Sequence, residues 1–501
     1  MKKYIVAAVL LVMTGGVASA QEADLKLTLK EAVKMAVEKN LDVRVELYNP
    51  AAAEADIWKD LGIYNPLLNL NINYQDSATQ SSNIFTTGGE SVSRQRSTNL
   101  DAGLSRLFFT GGSAGINFNN SWNHTNIGGN SNINNYFKTD VDISVTQPLL
   151  KNFGRETTEL TINVARLAKD GLLEQFSAKL LDIISQVNTQ YNQLYSVRQN
   201  LDAKRTSLSL AQTILDNTKA QVKAGVLPAM EILNAQFGLS TQQKNLIDAE
   251  RAYKDQIDQL KLLLQIKDAA DIIPVDSPFQ AAYPVDISQT IKTALMTRPD
   301  LKQLRISLKS NELQSRVAHN QTLPQLDFTA SAFFSGLAST YNRDIETVGS
   351  GRYPAYSAGL QLTYPIGNDS ARNDYIRKKL LVEQSKTQVL SLEESIARDI
   401  RIAARAVDSG YKQLDVTASG RAYADEVLQA YIKKQKVGLA TTKDVLDVMN
   451  NDVAAKAAEI QAVTDYNNAL VTLWKTTGEL LEREGVTLDG KESDSLYKNY
   501  R

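Results

Sequence analysis

Two carboxylates three positions apart, Asp444 and Asp447, follow a Val437-Gly438-Leu439-Ala440 turn, and theirs are the types and spacing that could do charge chemistry. They fall on adjacent sides of one helical turn. In a single copy, Asp444 complements the positive end of a helix dipole, with Thr441 as a capping-box partner. Beyond this pair the chain offers no nucleophile elbow, phosphate loop or metal-ligand spacing. Two histidines, His124 and His319, lie far apart and read as one loop residue and one helix-end residue. There is no cysteine, which excludes a disulfide framework, a thiol nucleophile and a lipid-modified N-terminal cysteine. No enzyme, metal site or cofactor is expected. A formal net charge of -1 gives no reason to expect nucleic acid as a partner.

The elements that must position the aspartates emerge from an internal repeat. Asp42 in Lys39-Asn40-Leu41-Asp42 matches Asp300 in Thr297-Arg298-Pro299-Asp300, and Pro66 matches Pro324, both 258 positions apart. Gln147-Pro148-Leu149 matches Tyr364-Pro365-Ile366 at an offset of 217, and Ala224-Gly225-Val226-Leu227 matches Val437-Gly438-Leu439-Ala440 at 213. The offset falls by 41 between Pro66 and Pro148, so an insertion of about that size lies between them. Asn99 to Phe109 and Ser113 to Trp122 read as its extra hairpin. A projection away from the other strands is the expected form, with two added strands alongside them as the alternative. Boundaries follow: residues 21–285 form the first repeat, 286–484 the second, and 485–501 a tail.

Each half orders its elements alike: short helices, strands, a very long helix, a tight glycine turn, and a shorter helix. Leu68, Leu70, Ile72 and Tyr74 alternate with Asn69, Asn71, Asn73 and Gln75. Val141, Ile143 and Val145 alternate with Asp142, Ser144 and Thr146. In the second half, Leu326, Phe328, Ala330 and Ala332 form one face, and Leu360, Leu362 and Tyr364 another. Such alternation suits a half-buried sheet or a barrel with lipid outside and water inside.

Glu156 to Val222 and Ala371 to Lys436 contain no proline, and each would extend roughly 100 Å as a helix. Phe176, Leu180, Ile183, Val187, Tyr191 and Leu194, like Val389, Leu392, Ile396, Ile400, Ala403, Val407, Tyr411 and Leu414, step by threes and fours. Their 3-4-4 sum is an 11-residue repeat, the spacing of nearly straight helices or a slight right-handed wrap. At the N-terminus, Lys2 and Lys3 precede the apolar run Ile5 to Met13, and Ala18-Ser19-Ala20 precedes Gln21. Residues 1–20 therefore read as a cleavable export signal. No later run is long enough for a transmembrane helix.

These residues resemble the TolC family of outer-membrane efflux proteins. The resemblance rests on Leu29-Lys30-Glu31-Ala32-Val33 with Asn40-Leu41-Asp42, and on Thr146-Gln147-Pro148-Leu149-Leu150 with Phe153-Gly154. Val437-Gly438-Leu439-Ala440 with Asp444-Val445-Leu446-Asp447 completes it. It implies a mainly α protein with membrane β: a homotrimer whose subunits each give about four strands to a shared barrel above a long coiled-coil α-barrel. It implies an exit duct in the outer membrane, reaching through the periplasm to an adaptor protein and an inner-membrane pump. Gly225, Val226, Leu227, Gly438, Leu439 and Ala440 become adaptor-docking tips, and Asp444 and Asp447 a ring of carboxylates at the tunnel entrance. The first-half counterparts of the aspartates are Glu231 and Asn234, and an arginine that latches the closed entrance in the best-known member corresponds to Ala440. Asp268 to Asp286 and the tail are expected in an equatorial collar. Trp122, Tyr136 and Phe137 are candidates for an aromatic girdle, or for ordinary loop packing. A structural or adhesive envelope protein is the competing reading; a secreted hydrolase lacks a constellation.

Overall fold

The computed structural model describes residues 24–80, 92–125, 134–267, 271–486 and 490–500. The export signal expected over residues 1–20 lies outside them. The first half runs β1 (Leu25–Leu27), α1 (Leu29–Lys39), α2 (Leu41–Leu61), a 3-10 turn (Gly62–Tyr64), β2 (Leu67–Gln80), β3 (Val92–Leu107), β4 (Ser113–Thr125), β5 (Asn135–Pro148), α3 (Arg155–Thr158), α4 (Leu160–Lys223) and α5 (Met230–Leu264). After β6 (Ile272–Pro274) come α6 (Ile287–Thr297), α7 (Pro299–Gln321), β7 (Gln325–Ala338), α8 (Tyr341–Gly349), β8 (Pro354–Thr363), α9 (Asp369–Lys436), α10 (Thr442–Thr477), α11 (Leu480–Arg483) and α12 (Lys491–Tyr500). The same succession of short helices, strands and helical hairpin occurs twice.

The long helices, α4 with 64 residues and α9 with 68, extend about 96 and 102 Å at 1.5 Å per residue. The threes-and-fours stripe of α4 is buried throughout, from Phe176 to Leu194. On α9 the stripe is buried from Val389 to Val407 except for half-buried Leu392, whereas Tyr411 stays 41% exposed, its ring 6.0 Å from that of buried Tyr466 on α10. The largest core joins the middle of α4 to α1, the end of α5, β6 and α11. Each fully buried Leu or Ile there contributes about 1.5–3 kcal/mol. Asn40 fixes the start of α2 by accepting from the Asp42 and Val43 N–H groups, while its amide donates to the Leu263 carbonyl at the end of α5.

β1 pairs in parallel with β6 beside this core. α12 packs on α2, and Lys169 of α4 ties both down through Glu54 (2.8 Å) and Asp494 (2.6 Å). Burial pushes the half-buried Glu484 carboxyl above its ordinary range, against the opposing pull of Asn188 and Lys30. A raised folded-state value means the charged form costs stability above that value. The cost fades as pH falls through it toward the ordinary 4.5. Glu484→Gln is expected to raise Tm at pH 7.5 by roughly 2 °C, with the gain gone near the ordinary carboxylate range; thermal melts at both pH values check it.

The other strands form one antiparallel sheet in the order β2-β3-β4-β5-β7-β8. Six strands stand where about four were expected, and the inserted hairpin is not a projection. Its strands lie in continuous register, β3 against β2 from Leu67↔Ser105 to Gln80↔Val92, and β4 against β5 from Ser113↔Thr146 to His124↔Asn135. Outward pairing would leave two strands' backbone groups unmet, whereas insertion satisfies them. His124 is accordingly a strand residue, not a loop residue. β2 and β8 are open edges, and no helix among the described residues is long and apolar enough to cross a membrane.

Register sorts the side chains by face. One row reads Leu70, Ala102, Phe118, Val141, Phe334, Pro354; the next row toward the helices reads Leu68, Leu104, Ile116, Ile143, Ala332, Tyr356. The opposite face carries Asn71, Asp101, Asn119, Asp140 and Ser335 in one row. Tyr136 pairs with Asn123 on that polar face, so its place in a girdle is corrected; Phe137 pairs with Trp122 on the apolar one. α8 lies over the apolar face where β8 has ended: a Cβ on Gly336 would come within 2.5 Å of the Asp344 carbonyl oxygen. Buried Asp344 accepts there from the Thr139 backbone N–H and hydroxyl.

Candidate functional site at the helical tips

Both helical hairpins end at the same level. Gly225 and Gly438, at φ +79° and +76°, close α4 and α9 with the same pair of backbone bonds. Gly225 N–H donates to the Val222 carbonyl and Val226 N–H to Gln221 (3.0 and 2.9 Å); Gly438 N–H donates to Gln435 and Leu439 N–H to Lys434 (3.0 and 2.9 Å). Only glycine adopts this left-handed position without steric cost. The turns present Val226, Val437 and Leu439 to solvent, with Leu439 78% exposed. Leu227 is half-buried, and Ala440 is buried, which leaves it a packing residue rather than a contact surface. Lys223 ends α4, and Lys433, Lys434 and Lys436 end α9, where positive charge complements the helix dipole.

Asp444 and Asp447 lie in the first two turns of α10, both exposed. Their roles differ. Asp444 closes a capping box: the Thr441 N–H and hydroxyl donate to its carboxylate (2.9 and 2.8 Å), and its own N–H donates back to the Thr441 oxygen (3.1 Å). These bonds hold its carboxyl below the usual aspartate range. Asp447, one turn along, is exposed.

Glu231, the repeat mate of Asp444, does something else. Ala229, the residue just before α5, offers no side-chain cap, and Glu231 instead reaches the other hairpin, accepting from the Thr442 N–H at 3.0 Å. Around that contact a buried polar seam joins the hairpins. The Thr218 and Thr442 hydroxyls are 3.4 Å apart, Gln435 donates to Thr442 (3.3 Å), and Gln221 donates to the Gln435 carbonyl (3.3 Å). The Gln221 Oε1 is buried without a partner. Next to the seam, Ala211, Ile214, Leu428, Val445, Leu446 and Met449 form a small core. α5 and α10 approach so closely that a Cβ on Gly238 would sit 2.7 Å from Leu446. Sequence reading missed this seam; its one available signal was the run of polar residues at stripe positions.

The comparisons with known proteins point one way. The family described as outer membrane efflux protein matches residues 32–264 and 290–479. The chain is 24% identical over 298 residues to the outer membrane efflux protein BepC of Brucella suis, covering 58% of this chain and 62% of that protein. It is 23% identical to the pyoverdine export outer membrane protein OpmQ of Pseudomonas aeruginosa, covering 60% and 61%, and 21% identical to TolC of Escherichia coli, covering 57% and 59%. The matches thus span about three fifths of the length of these curated relatives. Among solved structures, the outer-membrane channel OprN superposes with a TM-score of 0.67 at 15% identity over 90% of each chain. The Campylobacter jejuni CmeC outer membrane channel gives 0.64 at 16% identity, covering 99% of this chain and 97% of that one.

Proposed function

Because the chain belongs to the family of outer membrane efflux proteins, we propose that it is one subunit of a passive exit duct, crossing the outer membrane and the periplasm. The observation that carries this reading is a six-stranded sheet with two open edges, one apolar face and one polar face, continuous with two helical hairpins about 100 Å long. Open edges in lipid leave backbone groups unsatisfied at several kcal/mol each, so a membrane sheet of this kind closes. Closure by cyclic repetition joins β2 of one copy to β8 of the next. Three copies of six strands make an 18-stranded barrel, wide enough for a water-filled lumen lined by the Asn, Ser and Asp face.

In such a trimer the hairpins line a tunnel, and six carboxylates from Asp444 and Asp447 converge at its entrance. The exposed apolar turns at Val226, Val437 and Leu439 dock a periplasmic adaptor that connects the duct to an inner-membrane pump; Gly225 and Gly438 shape these turns and Leu227 flanks one. The tail and residues 271–286 belong to an equatorial collar. The shape of the detergent-purified particle tests the reading: a threefold tube well over 100 Å long is expected, and a compact monomer overturns it.

A further inference from the structure

α9 packs on α10, α10 on α4 and α4 on α5, so α5 and α9 flank the row of helices. Each flank carries apolar side chains that its own chain leaves in water. On the α5 flank these are Val226, Met230, Leu233, Phe237 and Ile247, with Phe237 76% exposed. On the α9 flank they are Val416, Tyr423, Val427 and Val437, with Val416 70% exposed. Both sets keep one spacing. Completed by Ser240 and Lys244 on α5, and by Gly420, Ala430 and Lys434 on α9, they alternate steps of four and three. That is the heptad repeat of a coiled-coil seam, and it differs from the 3-4-4 spacing of the stripes buried within the chain.

The two faces also fit each other. The helices run antiparallel, α5 away from Gly225 and α9 toward Gly438, and the two hairpins end at one level. Counted from these glycines, Ile247 stands level with Val416, each 22 residues away. Phe237 then meets Val427, Ser240 meets Tyr423, and Leu233 meets Ala430. Large side chains face small ones, as knobs face holes. Lys244, bonded to Asp248 at 3.0 Å, lies level with Gly420, where a Cβ would meet nothing within 4 Å. Farther up, the same count sets exposed Asp258 opposite exposed Arg405. Between these levels Arg251 faces Lys412, a like charge that Asp408 offsets by bonding Lys412 at 2.7 Å.

The faces lie on opposite flanks of one chain, so they meet between copies. We propose that α5 of one copy and α9 of the next form an antiparallel heptad seam from the tips up to Asp258 and Arg405, its register set by Ile247 against Val416. The inference rests on the cyclic reading above and deepens it by naming the contact. Continuity identifies the occupant. β8 is an open edge and leads straight into α9, so the copy whose β2 joins β8 brings its own α5 to the same flank.

The chain has no cysteine, so introduced thiols are the only ones that oxidise. Ile247→Cys with Val416→Cys in the full chain, oxidised as the purified trimer, is expected to give covalent oligomers that a reductant dissolves. Ile247→Cys with Val427→Cys sets the thiols eleven residues out of level, about 16 Å, and is expected to link at least about tenfold less. Asp258→Arg is expected to lower the yield of unheated trimer, and Arg405→Asp in the same chain to restore it; failure to restore overturns the level assignment. A trimer that leaves the matched pair unlinked, links it only within one chain, or links Ile247→Cys with Tyr423→Cys in preference, overturns the seam. So does shielding of a Phe237→Cys thiol from maleimide by an adaptor but not by assembly, which hands the α5 face to that partner. Unheated migration before oxidation separates these outcomes from failure of the duct reading: a trimer without the link sinks only the seam, and a monomer sinks both.

Discussion

Leu70→Arg is expected to abolish assembly of the heat-modifiable oligomer in the outer-membrane fraction, and Asn71→Arg to leave it intact. These residues are neighbours on β2, an open edge of the sheet, and both are exposed in the single chain. Exposure therefore does not separate them; parity does. Leu70 shares its row with Ala102, Phe118, Val141 and Phe334, near the middle of the apolar band. An arginine facing lipid at that depth costs about 2–4 kcal/mol, roughly 30- to 1,000-fold in folding equilibrium for each copy. Asn71 faces the other way, its amide 3.2 Å from the Asp101 carboxylate, so an arginine there gains a partner in water. Fractionation with unheated gel migration reads both outcomes. The reverse result would mean the sheet turns its polar face to lipid, and the duct assignment would fall with it.

The second large effect is expected at the proposed entrance. Removing both carboxylates, Asp444→Ala with Asp447→Ala, is expected to raise single-channel conductance and weaken block by multivalent cations. The expected loss of block is on the order of tenfold, the low end of what a constriction lined by one sign of charge does to local counter-ion concentration. The two positions are not equivalent, and single variants separate them. Asp447→Ala keeps the turn and removes an exposed charge, so most of the loss of cation block belongs to it. Asp444→Ala breaks the capping box with Thr441 and loosens the first turn of α10, so its signature is noisier opening. Because hydrogen bonding holds the Asp444 carboxyl below the ordinary value of 3.8, the cap's contribution is complete above that value. It is lost only as pH falls below it, and neutral solutions leave it untouched. Conductance and block unchanged in planar bilayers for the double variant would remove the entrance ring.

The polar seam between the hairpins ties the two tips together through residues that the repeat pairs but uses differently. Glu231 and Asp444 occupy matching places in the repeat, yet one reaches across to Thr442 and the other closes its own helix. The divergence follows from the residue just before each helix. Thr441 offers a hydroxyl and captures Asp444, whereas Ala229 offers nothing and leaves Glu231 free to cross.

Local chemistry determined much of this protein from the chain alone. Period-two alternation assigned Leu68, Leu70, Ile72 and Tyr74 to one face, because strand side chains alternate whatever the strand pairs with. The threes-and-fours spacing of α4 and α9, and the glycines at 225 and 438, set long rods ending in tight turns for equally local reasons. Thr441 and Asp444 formed the expected capping box within four residues. What only the tertiary structure decided is which partner each element meets. A hairpin alternates in the same way whether it projects or joins a sheet, so the register of β3 on β2 and of β4 on β5 had to settle the strand count. Tyr136 is an aromatic beside Phe137 in sequence, but one residue of strand reverses its side. The seam of Thr218, Gln221, Gln435 and Thr442 joins groups more than 200 positions apart, apart from Gln435 and Thr442. Hydrogen bonds that distant depend on how two rods pack, and no local pattern encodes the angle between them.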